Sequence, residues 1–529
     1  MSNKNTMLLD CSFRDGGYYN NWSFKKKDLD FYLERISRTN IQFVEIGFRF
    51  FDKKNSGLTA YSTDKFLKSL KVKKNIKIGV MINASDYIFE GRPNYIKLKK
   101  AFPSFKHLSF IRIAFHNKNL KNVVKIFKFL SNKGPKIMLN LMQISELSEK
   151  NILQTVKKIN RLNIEALYIA DSFGSIKPNY ISKISKLLKK HCKFKLGFHA
   201  HNNLSLAFLN AKKALEKDFT YIDSTILGMG RGAGNLKTED IYPHLFKKDK
   251  IGIKSLSEIK KRIFNPLKKK YKWGTNIYYK FAAKNSIHPS YVQELLSNKN
   301  YLSKDYFRIL KSLLNTDCKS YNQDYFNLNK SFKAKKNVHK SIKDNENFLI
   351  VGSAKNLIKY KDKVINFSRS LNLSNIAVNI NKVFDNNFID YRVACHPSRI
   401  KMDYSFYKKF NNKFVIPVNN IDKNFFATLN KDQILNFDLI INKKNPENIK
   451  VNLNQCILPN KLVIGYAIAF AIANGAKKIY LAGFEGFDKD NPANDESEHV
   501  LQLFNNKYKK VKISSITPTK LNIKYERII

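Results

Sequence analysis

The chain lacks the features that would make it a disulfide scaffold or a membrane protein. Its five cysteines (Cys11, Cys192, Cys318, Cys395 and Cys456) are scattered, odd in number and form no Cys-x-x-Cys pair. They read as the reduced thiols of a cytoplasmic protein. No window approaches the ~18 uninterrupted apolar residues of a membrane span. The opening Met-Ser-Asn-Lys-Asn-Thr has no apolar signal core and runs straight into a strand. Acidic residues are scarce as well: 42 Asp and Glu stand against 96 Lys and Arg, a net charge of +54. That excess is nearly all Lys, accompanied by abundant Asn and Ile, as an AT-rich coding sequence produces. It is spread along the chain rather than gathered into a stripe with interleaved aromatics, so no nucleic-acid partner is expected. The positive field favours anionic small substrates instead.

At 529 residues the chain is too long for one core, and two or more domains are expected. The most informative stretch is Lys-Leu-Gly-Phe-His-Ala-His-Asn-Asn, 195–203. It sets His199 and His201 two apart at the end of an apolar strand, where both face the same side. Asp15, in Leu8-Leu9-Asp10-Cys11-Ser12-Phe13-Arg14-Asp15-Gly16-Gly17, follows another apolar run. Two histidines and one carboxylate leave coordination positions open, as a catalytic divalent-metal site requires. Taken alone, the His-x-His is equally well read as a pair of ordinary polar residues at a strand end.

Eight apolar runs alternate with amphipathic segments: Met7–Asp10, Phe43–Gly47, Ile76–Ile82, Phe110–Ala114, Ile137–Leu141, Ala166–Ala170, Phe194–His199 and Tyr221–Leu227. This alternation predicts an α/β chain opening with a closed (β/α)₈ TIM barrel over 1–245. Asp15, Glu45, Asp171, His199, His201 and Asn235 fall at or just beyond strand C-termini, which converge on one mouth in a barrel. Helical patterns at Leu256–Tyr271, Ile277–Ala283, Pro289–Leu296 and Tyr306–Leu314 form an extension over 246–330, and 331–345 reads as a linker. A fresh strand and glycine turn, Phe348-Leu-Ile-Val-Gly-Ser353, opens a Rossmann-like α/β domain over 346–529. Its further strands are expected at Ile376–Val378, Phe414–Pro417, Asp438–Ile441 and Lys478–Ala482.

Five motifs occur in order: Leu9-Asp10-Cys11-Ser12-Phe13-Arg14-Asp15-Gly16, Val44-Glu45-Ile46-Gly47, Asp171-Ser172-Phe173-Gly174, His199-Ala200-His201-Asn202-Asn203 and Gly228-Met229-Gly230-Arg231-Gly232-Ala233-Gly234-Asn235. Together they resemble the DRE-TIM metallolyases, the group of hydroxymethylglutaryl-CoA lyase, over residues 5–240. The resemblance implies a divalent metal, Mn²⁺ or Mg²⁺ with Zn²⁺ as a further candidate, held by Asp15, His199 and His201. It implies that Asn235 completes or orients that shell, and that Arg14 faces the oxygen of an enolate. The alternative for Arg14 is a structural ion pair with Glu45, which is counted with it among the candidate catalytic residues. Asp171 either backs a ligand or caps the segment after it.

Arg14-Asp15-Gly16 is followed by Gly17-Tyr18-Tyr19 rather than the Glu-Gln of the acyl-CoA condensing synthases, and the glycine loop lacks their Glu. Both departures resemble the 4-hydroxy-2-oxovalerate aldolase branch. Those aldolases carry their proposed catalytic His where this chain has Tyr18. A phenol serves as a base near neutrality only if its surroundings lower its pKa. Tyr18, Tyr19, a metal-bound water and His116 are therefore the candidates. The later segment Leu462–Ala467 through Lys478–Asp488 resembles bacterial sialyltransferase-type and sugar-associated folds, which would place a nucleotide sugar near Gly352 and Ser353. The expected activity is a metal-dependent aldolase acting on a 2-oxo acid such as pyruvate and an aldehyde, in surface-polysaccharide biosynthesis. An acyl-CoA Claisen synthase, or a non-catalytic barrel that scaffolds a C-terminal transferase, is the rival. The helical extension is a candidate homodimer contact.

Overall fold

The eight apolar runs form eight parallel strands: β1 (Met7–Asp10), β2 (Phe43–Phe48), β3 (Lys77–Asn83), β4 (Phe110–Phe115), β5 (Lys136–Leu141), β6 (Ala166–Asp171), β7 (Lys195–Ala200) and β8 (Tyr221–Ser224). In this computed structural model they close into one barrel, each strand between its sequence neighbours and β8 beside β1. The chain divides into two compact units, 1–301 with 316–321 and 302–315 with 322–529. The structure describes residues 6–51, 53, 55–297, 303–314, 317–322, 345–409, 411–421, 423–442, 445–486 and 492–528. All of the expected 331–345 linker except its last residue, and Phe487-Asp488 of the sugar-fold resemblance, lie outside them.

Strand alternation organises the barrel interior into layers. Leu9, Phe43, Phe110, Met138, Tyr168 and Tyr221 pack together as an apolar layer. Two residues further along β2, β4, β5 and β8 stand Glu45, Arg112, Asn140 and Asp223, all buried. His199 follows Gly197 on β7 in the same way. A Cβ on Gly197 would lie 2.6 Å from the Tyr168 ring, and one on Gly79 would lie 2.3 Å from the Phe110 ring. These glycines leave room for the aromatics that floor the polar layer.

The outer helices bury one stripe each. Leu120–Leu130 packs Leu120, Val123, Ile126, Phe127 and Leu130 inward at helical spacing. Ser148 caps Glu149–Ile159 by accepting from Asn151 N at 3.2 Å. Beyond the barrel, helices Ile277–Lys284 and Pro289–Ser297 are tied to the rim of its mouth. Trp273 Nε1 donates to Leu227 O at 2.9 Å, Thr275 Oγ1 to Asn203 O at 2.6 Å, and Gly232 N to Gln293 Oε1 at 3.1 Å.

The second unit is a Rossmann-like α/β domain. Its strands are β9 (Asn347–Val351), β10 (Ser374–Val378), β11 (Tyr391–Val393), β12 (Lys413–Ile416), β13 (Ile434–Asn436), β14 (Asp438–Ile441), β15 (Lys450–Asn452), β16 (Gln455–Leu458), β17 (Lys478–Ala482), β18 (Lys512–Ser515) and β19 (Lys524–Tyr525). The main sheet runs β13-β12-β11-β10-β9-β17-β18-β19, parallel throughout. The expected strand at Asp438–Ile441 forms, but in a separate small sheet of order β14-β16-β15. Val463–Ala473 is apolar all round, and Ile464–Ala471 are all buried, as a core helix requires. Helix Ser303–Leu313, within the stretch read as the extension, packs in this unit against Pro397–Tyr407, and Arg308 pairs there with Asp403. No helix among the described residues is long and apolar enough to cross a membrane.

Candidate metal centre

Asp15, His199 and His201 converge at the barrel mouth, with their ligand atoms all within 4.8 Å of one another. Asp15 sits in the short helix Ser12–Asn20 that follows β1 directly, and His199 and His201 lie at the end of β7. The two Nε2 atoms are 3.8 and 4.0 Å from Asp15 Oδ2, and the rings are 4.9 Å apart at 85°. All three residues are buried.

Hydrogen bonds fix the tautomer of both rings. His201 Nδ1 lies 2.9 Å from the backbone carbonyl of Asp171, which can only accept. His199 Nδ1 lies 2.8 Å from Asp223 Oδ2. Burial works against the charged form of that carboxyl, but Arg112 and His199 hold its pKa below the ordinary value, so it accepts. Each Nδ1 therefore carries the proton, and each Nε2 lone pair is left facing Asp15. Burial pushes the His201 pKa well down, which keeps its ring neutral. Burial would raise Asp15, yet the Arg14 guanidinium beside it, with the hydrogen bond from Asn235, holds it well below the usual carboxylate range.

The donor set fits a divalent cation. Asn235 donates from Nδ2 to Asp15 Oδ2, while its Oδ1 is buried with no hydrogen-bond partner. A buried acceptor left unpaired is costly, and a cation held by the two Nε2 atoms and Asp15 Oδ2 would satisfy it. Gly230 lets the loop close over the site, since a Cβ there would meet Asn235 Nδ2 at 2.6 Å and Asp15 Oδ2 at 2.7 Å.

Arg14 donates from Nη1 to Asp15 Oδ1 at 2.6 Å and from Nε to Glu45 Oε2 at 2.7 Å, and its Nη2 has no partner. The expected Arg14–Glu45 pair thus forms while one guanidinium nitrogen stays free. Glu45 is held by two arginines. Arg112 Nε donates to its Oε1 at 2.8 Å and Arg112 Nη2 to its Oε2, so both of its oxygens are engaged, one of them also by Arg14. Arg112 Nη1 also reaches Asp223 Oδ2 at 2.6 Å, and a continuous chain runs Arg14–Glu45–Arg112–Asp223–His199. Sequence reasoning missed Arg112 and Asp223. Their signal was a lone charge in each of two apolar strands, Phe-Ile-Arg-Ile-Ala-Phe and Tyr-Ile-Asp-Ser.

The lowered phenol that Tyr18 would need as a base is not present. Burial raises Tyr18, and burial raises Tyr19 as well, whose hydroxyl donates to Gly232 O at 2.6 Å. The Tyr18 ring instead packs against Trp22, with centroids 4.9 Å apart. Gly17 leaves room for that same Trp22 ring, which a Cβ would meet at 2.1 Å. His116 is half-buried, its pKa lowered by burial and then by Lys118 and Arg231. The Asp171 carboxylate accepts from Ser175 N at 2.9 Å and Ile176 N at 3.2 Å, and its carbonyl lies 2.9 Å from His201 Nδ1.

In the second unit, Gly352 and Ser353 follow β9, next to the loop after β17. The Gly352 N–H donates to Ala482 O at 2.8 Å, and a Cβ there would meet Gly483 O at 2.3 Å, so close backbone packing accounts for this glycine. His499 lies at the surface, 3.4 Å from Glu447.

The HMGL-like family model matches residues 104–259. The oxaloacetate decarboxylase of Mycobacterium tuberculosis is 23% identical over 262 residues, 49% of this chain and 75% of that protein. The 4-hydroxy-2-oxovalerate aldolase of Carboxydothermus hydrogenoformans is 26% identical over 252 residues, 46% of this chain and 71% of that protein. A crystal structure of the N-terminal domain of a Bacteroides vulgatus protein described as an aldolase is 31% identical, with a TM-score of 0.51. It covers 57% of this chain and 99% of its own. Through its N-terminal barrel, the chain belongs to the HMGL-like family.

Proposed function

We propose that the barrel is a divalent-metal-dependent carbon–carbon lyase that forms the enolate of a short 2-oxo acid by breaking its bond to an aldehyde carbon, or in reverse adds that enolate to the aldehyde, in the manner of an aldolase. The observation that carries this reading is the pair of imidazoles whose Nδ1 protons are both committed elsewhere, beside an ionised Asp15 and the unpaired Oδ1 of Asn235. A divalent ion held there supplies Lewis-acid polarisation of the substrate's keto oxygen.

The chain's own residues do the rest. Asp15, His199, His201 and Asn235 would hold the ion. Arg14 donates its free Nη2–H to the oxygen on which enolate charge develops, an electrostatic role that grows toward the transition state. Glu45 and Arg112 keep that guanidinium from swinging away. Tyr18 stays protonated, so it serves the bond-forming direction by giving a proton to the aldehyde oxygen. His116, kept neutral, is the ring at this rim able to accept one.

Decarboxylation of a 2-oxo dicarboxylate is the second reading, favoured by the decarboxylase relative. It passes through the same enolate.

The test is exchange of the pyruvate methyl protons with deuterated water, followed by NMR with Mn²⁺ or Mg²⁺ and then with EDTA. Exchange that needs the metal and disappears in His199→Ala supports enolate formation at this site. Absence of exchange in metal-loaded protein would refute pyruvate as the donor. Release of CO₂ from oxaloacetate, with no carbon–carbon bond made to any aldehyde, would favour the second reading.

A further inference from the structure

The buried arginines of the barrel come with their anions. Arg14 has Asp15 and Glu45, Arg49 has Asp64, and Arg112 has Glu45 and Asp223. Arg231 does not. It stands between Gly230 and Gly232 in the loop that closes over Asp15, and its Nε is buried with no hydrogen-bond partner. Among the described residues no carboxylate pairs with it.

The loop on either side is tightly held. Tyr19 donates to Gly232 O at 2.6 Å, Gln293 accepts from Gly232 N at 3.1 Å, and Gly234 N donates to Arg231 O at 3.2 Å. The side chain projects over Tyr18, with Cζ 5.6 Å from the ring centroid. A guanidinium partly withdrawn from water with no counter-charge is costly unless a ligand supplies one.

Neutral imidazoles stand around Arg231, and Asp15, over which its loop closes, is already engaged by Arg14 and Asn235. Its charge reaches His116 and His288, in each case adding to the lowering that burial causes, and a Cβ on the neighbouring Gly232 would lie 2.8 Å from Pro289, the residue after His288. His288 Nδ1 accepts from Ser290 N at 3.3 Å, so its proton is on Nε2, another donor at this rim. Depth separates this cluster from Arg14. Arg14 is 4% exposed at the floor of the site, whereas Arg231, His116 and His288 are half-buried nearer the opening. A 2-oxo acid lying on the metal and Arg14 would leave Arg231 to whatever lies outward of it.

We infer that Arg231, with His288 beside it, receives an anionic oxyacid group, a carboxylate or a phosphate, on the outer substrate fragment that the enolate carbon is joined to or cleaved from. This rests on the enolate reading above. It makes the partner aldehyde an anionic one, in keeping with the basic field of the chain.

The experiment uses full-length protein loaded with Mn²⁺ and with oxalate in place of the 2-oxo acid. Inorganic phosphate is then titrated in, and its ³¹P relaxation by the bound Mn²⁺ is read. Saturable relaxation in the wild type should weaken about tenfold or more in Arg231→Ala and partly return in Arg231→Lys, while oxalate affinity holds. Acetate in place of phosphate, followed by methyl proton relaxation, tells a carboxylate pocket from a phosphate pocket. Neither anion binding beside oxalate, or equal binding in Arg231→Ala, overturns the inference. Loss of oxalate affinity in Arg231→Ala also overturns it, by assigning Arg231 to the 2-oxo acid. If the wild type takes up no Mn²⁺, the enolate reading fails on its own. Calorimetric titration of phosphate and acetate into the metal-free protein then decides the Arg231 site: binding lost in Arg231→Ala sustains it, and unchanged or absent binding ends it.

Discussion

His199 and Asp223 are joined by a 2.8 Å hydrogen bond from imidazole Nδ1 to carboxylate Oδ2, and that bond decides which nitrogen of His199 is left to bind a cation. The same Asp223 oxygen accepts from Arg112 at 2.6 Å, so the ring is oriented by a group that is itself anchored in the polar layer. Replacing Asp223 with Asn keeps the shape but removes the charge that sets the tautomer. Mn²⁺ affinity should fall about 10- to 100-fold, as it does when a partner behind a metal-bound His is lost. Global stability should also fall, by about 1–3 kcal/mol, because Arg112 loses one charged hydrogen-bond partner while keeping Glu45. Calorimetric Mn²⁺ titration and urea unfolding read the two effects, and unchanged Mn²⁺ affinity would remove Asp223 from the account.

Gly230 gives a second, sterically defined test. An alanine Cβ there would press on Asn235 Nδ2 and Asp15 Oδ2 at once. Gly230→Ala should cost about 1–3 kcal/mol of stability through overpacking. Its larger effect should be on Mn²⁺ binding, measured by electron paramagnetic resonance titration, because the displaced groups are the candidate ligands. A variant that binds Mn²⁺ as tightly as the wild type would mean that the loop does not shape the site.

Glu165 tests the barrel's electrostatics away from the mouth. Burial opposes its charge, but Lys136, Lys195 and Tyr221 all donate to it and bring its pKa down to about 2 from the ordinary 4.5. The folded value is the lower one, so the stabilisation is fully present above pH 4.5 and is lost as pH falls toward 2. Glu165→Gln should therefore be less stable than wild type at neutral pH, with the gap closing over that acid window. Thermal melts of both proteins across the window check the sign, and a gap that widens on acidification would contradict it.

The barrel was legible because its eight strands are short, apolar and regularly spaced, and because one strand end carries His199 and His201 together. Asp15 was legible for the same reason, standing just beyond β1. Arg112 and Asp223 were not, because their partnership spans 111 residues and exists only once β4 and β8 face each other across the barrel. That Arg112 holds both oxygens of Glu45 was hidden for the same reason, since the two residues lie 67 apart in the chain. The direction of the Tyr18 shift follows from burial against Trp22 and Phe48, contacts that composition does not reveal. In the second unit, β11 and β13 are three residues long, too short for alternation to mark them, and so the order of the sheet could not be read in advance.

The most direct test of the account is electron–nuclear double resonance on the Mn²⁺-loaded protein. Coupling to the nitrogens of two imidazoles is predicted in the wild type, with one coupling lost in His199→Ala and the other in His201→Ala. Saturating Mn²⁺ that shows no imidazole nitrogen coupling would contradict the assignment of Asp15, His199 and His201 as the metal site, and with it the enolate chemistry proposed for this barrel.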